Sequence, residues 1–210
     1  MCWNSEVSLN TFIFSLFVLL FIMYNNFYTK YKIKFFDNVF AYLFLLSVML
    51  MQFVEYGIWE NLGNIRLNHL LSIFGAILLL VQPIFSLMLL RNEEIRWKMV
   101  MLYSIFAIPY FLYQMSQHYF KTTLSKGCHL EWKWGNYEYW TIFVWLFFVS
   151  FSFVYEKQYF YIVMGLLFLG MAAFFYYKDG SYKSIWCWSV NLIMFAYLVQ
   201  ILVIMPYGKN

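Results

Sequence analysis

The stretch Leu67–Leu90, LNHLLSIFGAILLLVQPIFSLMLL, decides the fold class. It runs for 24 residues without an Asp, Glu, Lys or Arg. A helix needs about 20 predominantly apolar residues to cross the hydrocarbon core of a bilayer. This stretch therefore predicts a transmembrane helix.

Six further windows of similar length lack these four residue types: Val7–Thr29, Asn38–Val54, Met99–Tyr119, Tyr139–Tyr155, Gln158–Tyr177 and Ser184–Gly208. The windows predict helices at 9–28, 37–58, 68–90, 97–118, 139–155, 158–178 and 184–206. A long outer loop at 119–138 separates the fourth helix from the fifth. The predicted fold is all-α, a polytopic seven-helix bundle that forms a single transmembrane domain over residues 1–210.

The composition excludes an ordinary water-soluble domain. Apolar residues make up 64% of the 210 residues and charged residues 11%, and the mean hydropathy is +0.65. Soluble domains have about half apolar and about a quarter charged residues. The sequence thus predicts a multi-pass integral membrane protein whose main partner is the lipid bilayer.

The basic residues predict the orientation of the chain. With seven helices, eight of the 14 Lys and Arg residues fall on the face that carries the C-terminus and six on the other. By the positive-inside rule, the N-terminus lies outside and the C-terminus is cytoplasmic. The net charge of +4 is explained by these topology determinants beside anionic lipid, so no nucleic-acid partner is expected.

Polar residues recur at helical spacing within the windows and predict a binding site. Gln52, Glu55, Tyr56 and Trp59 fall at i, i+3, i+4 and i+7 on helix two. Further candidates lie on helices three, four and seven: Asn68, Ser72, Gln82, Tyr110, Gln114, Trp188 and Asn191. Such groups turn away from hydrocarbon toward the bundle interior. They predict a polar and aromatic cavity open to the outer side, for an unidentified small molecule or ion.

Each of these residues also has a simpler interpretation. Small and amide side chains hold membrane helices together without any ligand, and tryptophans near a boundary form an aromatic belt. The aromatic segment Gly127–Gly135 of the long loop is likewise expected to lie in the interface. Both interpretations stay open at the level of the sequence.

Histidines and cysteines suggest two further sites. His69, His118 and His129 are predicted on the same face as Glu55, and together they would suffice for a zinc ion. The sequence has no HExxH motif, so the alternative is three hydrogen-bonded histidines and no cofactor. Cys128 and Cys187 could form a disulfide on the outer side, or remain thiols. Retinal is excluded, because Ser184–Met205 contains no lysine for a Schiff base.

Several motifs combine these polar and aromatic residues: Gln52-Phe53-Val54-Glu55-Tyr56 with Trp59, Asn68–Ser72, Gln82-Pro83, His129–Trp134, and Ser184–Trp188 with Asn191. In this combination the chain resembles a family of uncharacterised polytopic membrane proteins encoded by large DNA viruses. The resemblance implies a viral or host-cell membrane and supplies no activity.

Three functions are compatible with the sequence. The first is a small permease, channel or receptor-like binder that uses Glu55 as the charged group of its cavity. The second is a membrane-embedded, metal-dependent hydrolase that acts on lipid. The third is a structural scaffold of a viral or organelle membrane. We predict no catalytic residues, and we favour the first of the three.

Overall fold

Asparagine side chains begin the first four helices of the structure, a computed structural model that describes residues 4–135 and 139–207. The N-cap residues are Asn4, Asn38, Asn64 and Asn92, and each side-chain oxygen accepts a hydrogen bond from a first-turn N–H at 2.9–3.2 Å. Such caps pair N–H groups that a helix leaves without an internal partner. The helices are α1 (Ser5–Tyr28), α2 (Val39–Glu60), α3 (Ile65–Leu87) and α4 (Glu93–Gln117).

Three further helices follow the long loop. They are α5 (Tyr139–Tyr155), α6 (Tyr159–Tyr176) and α7 (Tyr182–Tyr207). The hydrogen-bonding pattern changes along α7. Its segments are α-helical Tyr182–Trp188 and Val190–Val199, π-helical Gln200–Ile204 and α-helical Met205–Tyr207. A short 3₁₀ helix, Lys34–Asp37, precedes α2.

The helices have the length and composition of membrane spans. Within residues 4–135 and 139–207, six are long and apolar enough to cross a bilayer, namely α1, α2, α3, α4, α6 and α7. The remaining helix, α5, is also apolar but has only 17 residues. The prediction of a multi-pass helical membrane protein is confirmed at this level, with six rather than seven helices of full spanning length.

The bundle is all-α, as predicted, and the predicted loop 119–138 contains a small two-stranded sheet. Strands β1 (Thr122–Leu124) and β2 (Leu130–Trp132) pair antiparallel, with Thr122 opposite Trp132. Cys128 lies in the turn between them with φ 59°. We call residues 122–132 the hairpin. Its ladder of hydrogen bonds pairs backbone groups that burial would otherwise leave unsatisfied.

The aromatic segment of this loop is buried rather than spread along the interface. Trp132 and Trp134 are 2% and 6% exposed, and their rings stack with centroids 5.2 Å apart. Phe120 also stacks on Trp134, with centroids 6.0 Å apart. The aromatic residues therefore pack the hairpin onto the bundle.

Hydrogen bonds between helices show their relative directions. Thr11, near the start of α1, donates to Gln52 near the end of α2 at 3.3 Å. Ser15 of α1 donates to Asn191 in the first half of α7 at 2.6 Å. Hence α1 and α7 run in the same direction and α2 runs opposite. The starts of α1 and α7 share one end of the bundle with the end of α2, and we call this the hairpin end.

One buried cluster joins α1, α2 and α7. The side chains of Val18, Ile22, Ala41, Met49 and Met194 meet there with no exposed surface. In a bilayer the association of helices depends on close van der Waals packing, because lipid is as apolar as the side chains. By contrast, Tyr103 is the one buried side chain of α4.

Candidate functional site

Glu55 lies inside the bundle, where it links several elements. Glu55 and Gln52 are each 1% exposed, and Gln52 Nε2 donates to Glu55 Oε2 at 3.2 Å. The side chains of Ser184 and Trp132 also approach the carboxyl, from α7 and β2. Among the residues that the structure describes, Glu55 Oε1 and Trp132 Nε1 form no hydrogen bond of normal geometry. Glu55 thus faces protein, as predicted, and stands where α2, α7 and the hairpin meet.

Asn68 and Ser72 hold the hairpin on α3. Asn68 Nδ2 donates to the carbonyl of Thr122, and the Thr122 N–H donates back to Asn68 Oδ1, both at 3.0 Å. The hydroxyls of Ser72 and Thr122 lie 3.0 Å apart, and Trp134 Nε1 donates to the Thr122 hydroxyl at 3.0 Å. These polar groups satisfy one another. They match the interpretation as packing and hydrogen-bonding residues that the sequence left open.

Asn191 and Gln82 also join helices. Asn191 accepts a hydrogen bond from Ser15 of α1 and donates to the carbonyl of Trp188 at 2.8 Å. Gln82 Nε2 donates to the carbonyl of Ser47 on α2 at 3.4 Å. Gln82 also lines a small cavity of about 130 Å³ between α2, α5, α6 and α7. Asn191 and Gln82 therefore serve as hydrogen-bonding contacts between helices.

The remaining predicted ligand residues are aromatic or lie on α4. Tyr56 and Trp59 are half-buried near the end of α2, and Trp188 is half-buried on α7. Gln114 donates to the Tyr110 hydroxyl at 2.8 Å. Tyr110 differs from the others because it lines a large cavity.

That cavity, of about 630 Å³, lies between α3, α4, α5 and α7 and is half-enclosed. Its walls are aliphatic and aromatic, and they include these side chains: Leu79, Leu80, Leu102, Phe106, Ala107, Phe111, Val144, Trp145, Leu146, Phe148, Trp186 and Trp132 of the hairpin. The volume falls within the roughly 300–1,000 Å³ that is typical of ligand pockets. The cavity is thus large enough for a small molecule but far more apolar than the predicted one.

The cavity opens sideways, between α4 and α5. Within the described part of the chain, α4 packs mainly on α3, and it touches α5 through two ring pairs, Tyr103 with Phe148 and Tyr110 with Trp140, whose centroids lie 5.0 and 5.4 Å apart. The wall residues Phe106 and Trp140 are 63% and 50% exposed at the outer surface of these two helices. If α4 and α5 face lipid, this opening leads to the bilayer rather than to water.

Polar groups of the cavity gather toward the hairpin end. Tyr110, Thr141, Tyr182 and Lys183 line it there, together with Trp140. From Trp140 the α5 wall continues for eight residues to Phe148, which is about 12 Å along the helix axis. The cavity therefore has a polar end beside the hairpin and an apolar interior.

The three histidines lie in different surroundings. His69 Nδ1 lies 2.9 Å from the carbonyl oxygen of Phe120, and its ring stacks on Tyr119. His118 is exposed at the end of α4. His129 is buried on the hairpin with its ring edge-on to Tyr176. Within 4–135 and 139–207, no three His, Cys, Asp or Glu side chains gather as metal ligands would, so the predicted zinc site is not assembled.

Burial has an electrostatic consequence for His129. Removal from water disfavours the charged imidazolium and lowers the pKa of His129 below its ordinary value, while the nearby Asp179 opposes this shift. The shift favours the neutral form of the histidine. Its ring acts as a packing residue of the hairpin.

No disulfide joins Cys128 to Cys187. Cys128 is exposed in the turn of the hairpin, whereas Cys187 is buried on α7 and lines the large cavity. The two side chains thus lie in different environments, and the predicted covalent tie between the hairpin and α7 is replaced by packing. Cys2 lies outside the described residues.

Most of the cavity wall was missed at the level of sequence. Two of the missed wall residues had a signal in the sequence. Lys183 is a lysine directly before an apolar window, and Ala107 is a small residue among the bulky side chains of helix four. The aromatic and aliphatic wall residues have no such signal. Side chains that line an apolar cavity are of the same types as those that face lipid.

Comparison with known proteins adds no assignment to this geometry. No protein-family model matches the chain, and no curated protein or solved structure matches it either.

Proposed function

We propose that the chain is a seven-helix integral membrane protein, with its N-terminus outside and its C-terminus cytoplasmic, that binds a lipid-like molecule. The ligand occupies the cavity between α3, α4, α5 and α7 and enters it from the bilayer. In this proposal α5 completes the set of spans although it is short. The chain is thus a receptor-like binder rather than a channel.

One observation carries the proposal: a cavity of about 630 Å³ has mostly apolar walls along its depth, where Tyr103 and Trp145 donate to backbone carbonyls of α3, and further polar side chains toward the hairpin end. Ligand pockets are mostly apolar with a few polar groups that fix orientation. An amphiphile with one chain matches this division, because its chain would fill the interior while its headgroup stays at the membrane boundary. The lateral opening between α4 and α5 supports entry from lipid.

The polar residues predicted to line a cavity give less support to a permease or channel. Asn68, Ser72 and Asn191 use their hydrogen-bonding groups on other protein atoms, which leaves fewer groups for an aqueous path. A metal-dependent hydrolase would need the histidines to converge on Glu55. His69 instead contacts Phe120 and His129 contacts Tyr176, so this alternative has no geometry in its favour.

A scaffold remains the second candidate. The observation that favours it is the same set of internal hydrogen bonds, since a purely structural bundle would use its polar residues in this way. The viral or host-cell membrane suggested by the family resemblance stays a prediction. A scaffold and a binder differ in whether the cavity takes up a ligand.

Tryptophan fluorescence tests this difference. Trp132, Trp140, Trp145 and Trp186 line the cavity, so a monoacyl lipid with a brominated chain should quench the protein saturably in detergent or nanodiscs. Ala107→Phe narrows the cavity and should remove the saturable component.

Ala196→Phe, the same change at an exposed position of α7 outside the cavity, is the matched control and should leave quenching unchanged. Circular dichroism and gel filtration check that both variants fold. Quenching that is unsaturable in the parent protein, or identical in all three proteins, would contradict the binder and favour the scaffold.

A further inference from the structure

Glu55 is a buried carboxyl group that no positive charge compensates within the described part of the chain. Its side chain is 1% exposed. The ion pairs found among the described residues all lie at the opposite end of the bundle, around the start of α4. An isolated carboxylate is costly to bury, and an ionisable group inside a membrane bundle therefore needs a partner or loses its charge.

The side chains around Glu55 do not supply the missing charge. Among the described residues, the titratable group in electrostatic contact with Glu55 is the Cys187 thiol of α7, and a thiol is never cationic. The charged side chains of the neighbouring elements are exposed or interact elsewhere. Glu6 of α1, Glu60 of α2 and Arg66 of α3 are exposed, and Lys183 of α7 interacts with Glu131 of the hairpin.

Two polar atoms at the carboxyl group indicate its protonation state. Trp132 approaches the carboxyl from the hairpin, yet neither its Nε1 atom nor Glu55 Oε1 forms a hydrogen bond of normal geometry. A carboxylate oxygen would accept from the indole N–H in a short, charge-assisted hydrogen bond. An O–H group at Oε1 would not, because the indole N–H is a donor only.

The other contacts of the carboxyl group also suit a neutral acid. Gln52 donates to Oε2 at 3.2 Å, which makes Oε2 the carbonyl oxygen. The Ser184 hydroxyl also approaches the carboxyl group, and its oxygen has lone pairs that can accept from an O–H at Oε1. One long neutral donor compensates a buried charge poorly, so the balance favours the protonated form.

The hairpin separates this carboxyl group from water. Glu55 lies five residues before the end of α2, which is about 7.5 Å along the helix axis. Trp132, which packs on it from the hairpin, is itself 2% exposed. Asn68 and Thr122 hold the hairpin on α3 by two hydrogen bonds of 3.0 Å. Water therefore reaches Glu55 only when the hairpin moves.

We propose that Glu55 is a proton-binding site of the bundle, occupied at neutral pH and closed from water by the hairpin. The bound proton removes the charge that no side chain compensates. It exchanges with water when the hairpin separates from α3 and α7. The site does not depend on what occupies the large cavity, although Trp132 and Cys187 also belong to the cavity wall.

Infrared spectroscopy of the purified protein in a maltoside detergent, which has no carbonyl group, tests the occupancy. At neutral pH, the spectrum of the parent protein minus that of Glu55→Gln should show the C=O stretching band of a carboxylic acid. This band should shift to lower frequency in heavy water. Glu60→Gln, at an exposed position of the same helix, is the matched control, and its difference spectrum should show carboxylate bands instead.

Gln52→Met provides a second variant that retains the carboxyl group. It removes the N–H group that donates to Oε2, so the C=O band should move to higher frequency without disappearing. Circular dichroism and gel filtration check that each variant folds. The assignment to Glu55 can thus be tested even if Glu55→Gln does not fold.

The role of the hairpin is tested by the rate at which the band shifts after transfer to heavy water. Asn68→Ala loosens the hairpin from α3 and should accelerate the shift about tenfold or more, because buried groups exchange through local opening. Asn64→Ala, at the exposed cap of the same helix, should leave the rate unchanged.

Two results would overturn the proposal. Carboxylate bands in the spectrum of the parent protein minus Glu55→Gln would exclude the bound proton. A thermal midpoint raised by sodium chloride relative to choline chloride, in the parent protein but not in Glu55→Gln, would then identify sodium as the ligand. Equal exchange rates in the parent protein and Asn68→Ala would show that the hairpin does not close the site.

Discussion

Asn68 and Thr122 exchange two hydrogen bonds of 3.0 Å, one through each end of the Asn68 amide. The pair joins α3 to β1 across 54 residues of sequence. Both side chains are buried, at 0% and 1% exposure. The hairpin is therefore part of the bundle, and through Trp132 it forms part of the cavity wall at that end.

We expect Asn68→Ala to destabilise the protein by about 2–3 kcal/mol, because it removes two buried hydrogen bonds and leaves the backbone groups of Thr122 without partners. Asn64→Ala, which removes the exposed cap of α3, should cost only about 1 kcal/mol. Thermal unfolding in detergent, followed by helical circular dichroism, measures both. Equal losses in the two variants would mean that the hairpin is not anchored by this pair.

Glu55 should matter for stability more than for binding, because it lies outside the cavity walls. Glu55→Gln keeps an oxygen that accepts from Gln52 and should change stability by no more than about 1 kcal/mol. Glu55→Leu leaves the Gln52 amide without its acceptor and should cost about 2 kcal/mol.

Probe quenching by the brominated lipid should be unchanged in both Glu55 variants. A folded Glu55→Gln protein that no longer binds the probe would instead give Glu55 the ligand role expected from the sequence.

His129 should make stability depend on pH. Because burial lowers its pKa in the folded protein, the unfolded chain takes up a proton at higher pH than the folded chain does. The contribution of neutral His129 to the stability of the fold is complete above the ordinary histidine pKa of about 6.5. This contribution is lost as the pH falls from there toward the lower pKa that His129 has in the folded protein.

The difference in midpoint temperature between about pH 7.5 and about pH 5.5 should therefore shrink in His129→Gln. His118→Gln, at an exposed position, should retain the full difference. A pH dependence that is the same in the parent protein and His129→Gln would contradict this assignment.

The orientation of the chain is testable by labelling. In a background where Cys2, Cys128 and Cys187 are replaced by Ser, single cysteines are introduced as Lys126→Cys on the exposed hairpin turn and as Arg91→Cys, whose parent side chain is 85% exposed at the other end. With the N-terminus outside, a membrane-impermeant maleimide should label Lys126→Cys on intact cells and Arg91→Cys only after permeabilisation. The reverse pattern would show the opposite orientation.

The helices could be predicted because a bilayer imposes a length and a composition that are visible in any window of sequence. Their starts were less accurate. The sequence did contain a signal for these starts, since Asn4, Asn64 and Asn92 cap α1, α3 and α4 four or five residues before the predicted starts. Asparagine before an apolar window is a common N-cap, and using it would have corrected these boundaries.

The hairpin and the cavity could not be predicted in the same way. Each strand has only three residues, too few for an alternating pattern to be recognised. Asn68 was identified as inward-facing, but its partner Thr122 lies in a distant loop and is set by tertiary packing. The cavity depends on the gap between α4 and α5, and residues such as Phe106 are equally suited to face lipid or a ligand.

The most direct test of the central claim is a photoreactive fatty acid in vesicles containing the protein, with cross-linked residues mapped by mass spectrometry. We predict saturable labelling of Tyr110 and Val144 in the cavity wall, competed by the unlabelled fatty acid and lost in Ala107→Phe. Labelling confined to lipid-facing side chains such as Phe174, which is 84% exposed on α6, and unaffected by Ala107→Phe, would contradict a ligand in the cavity.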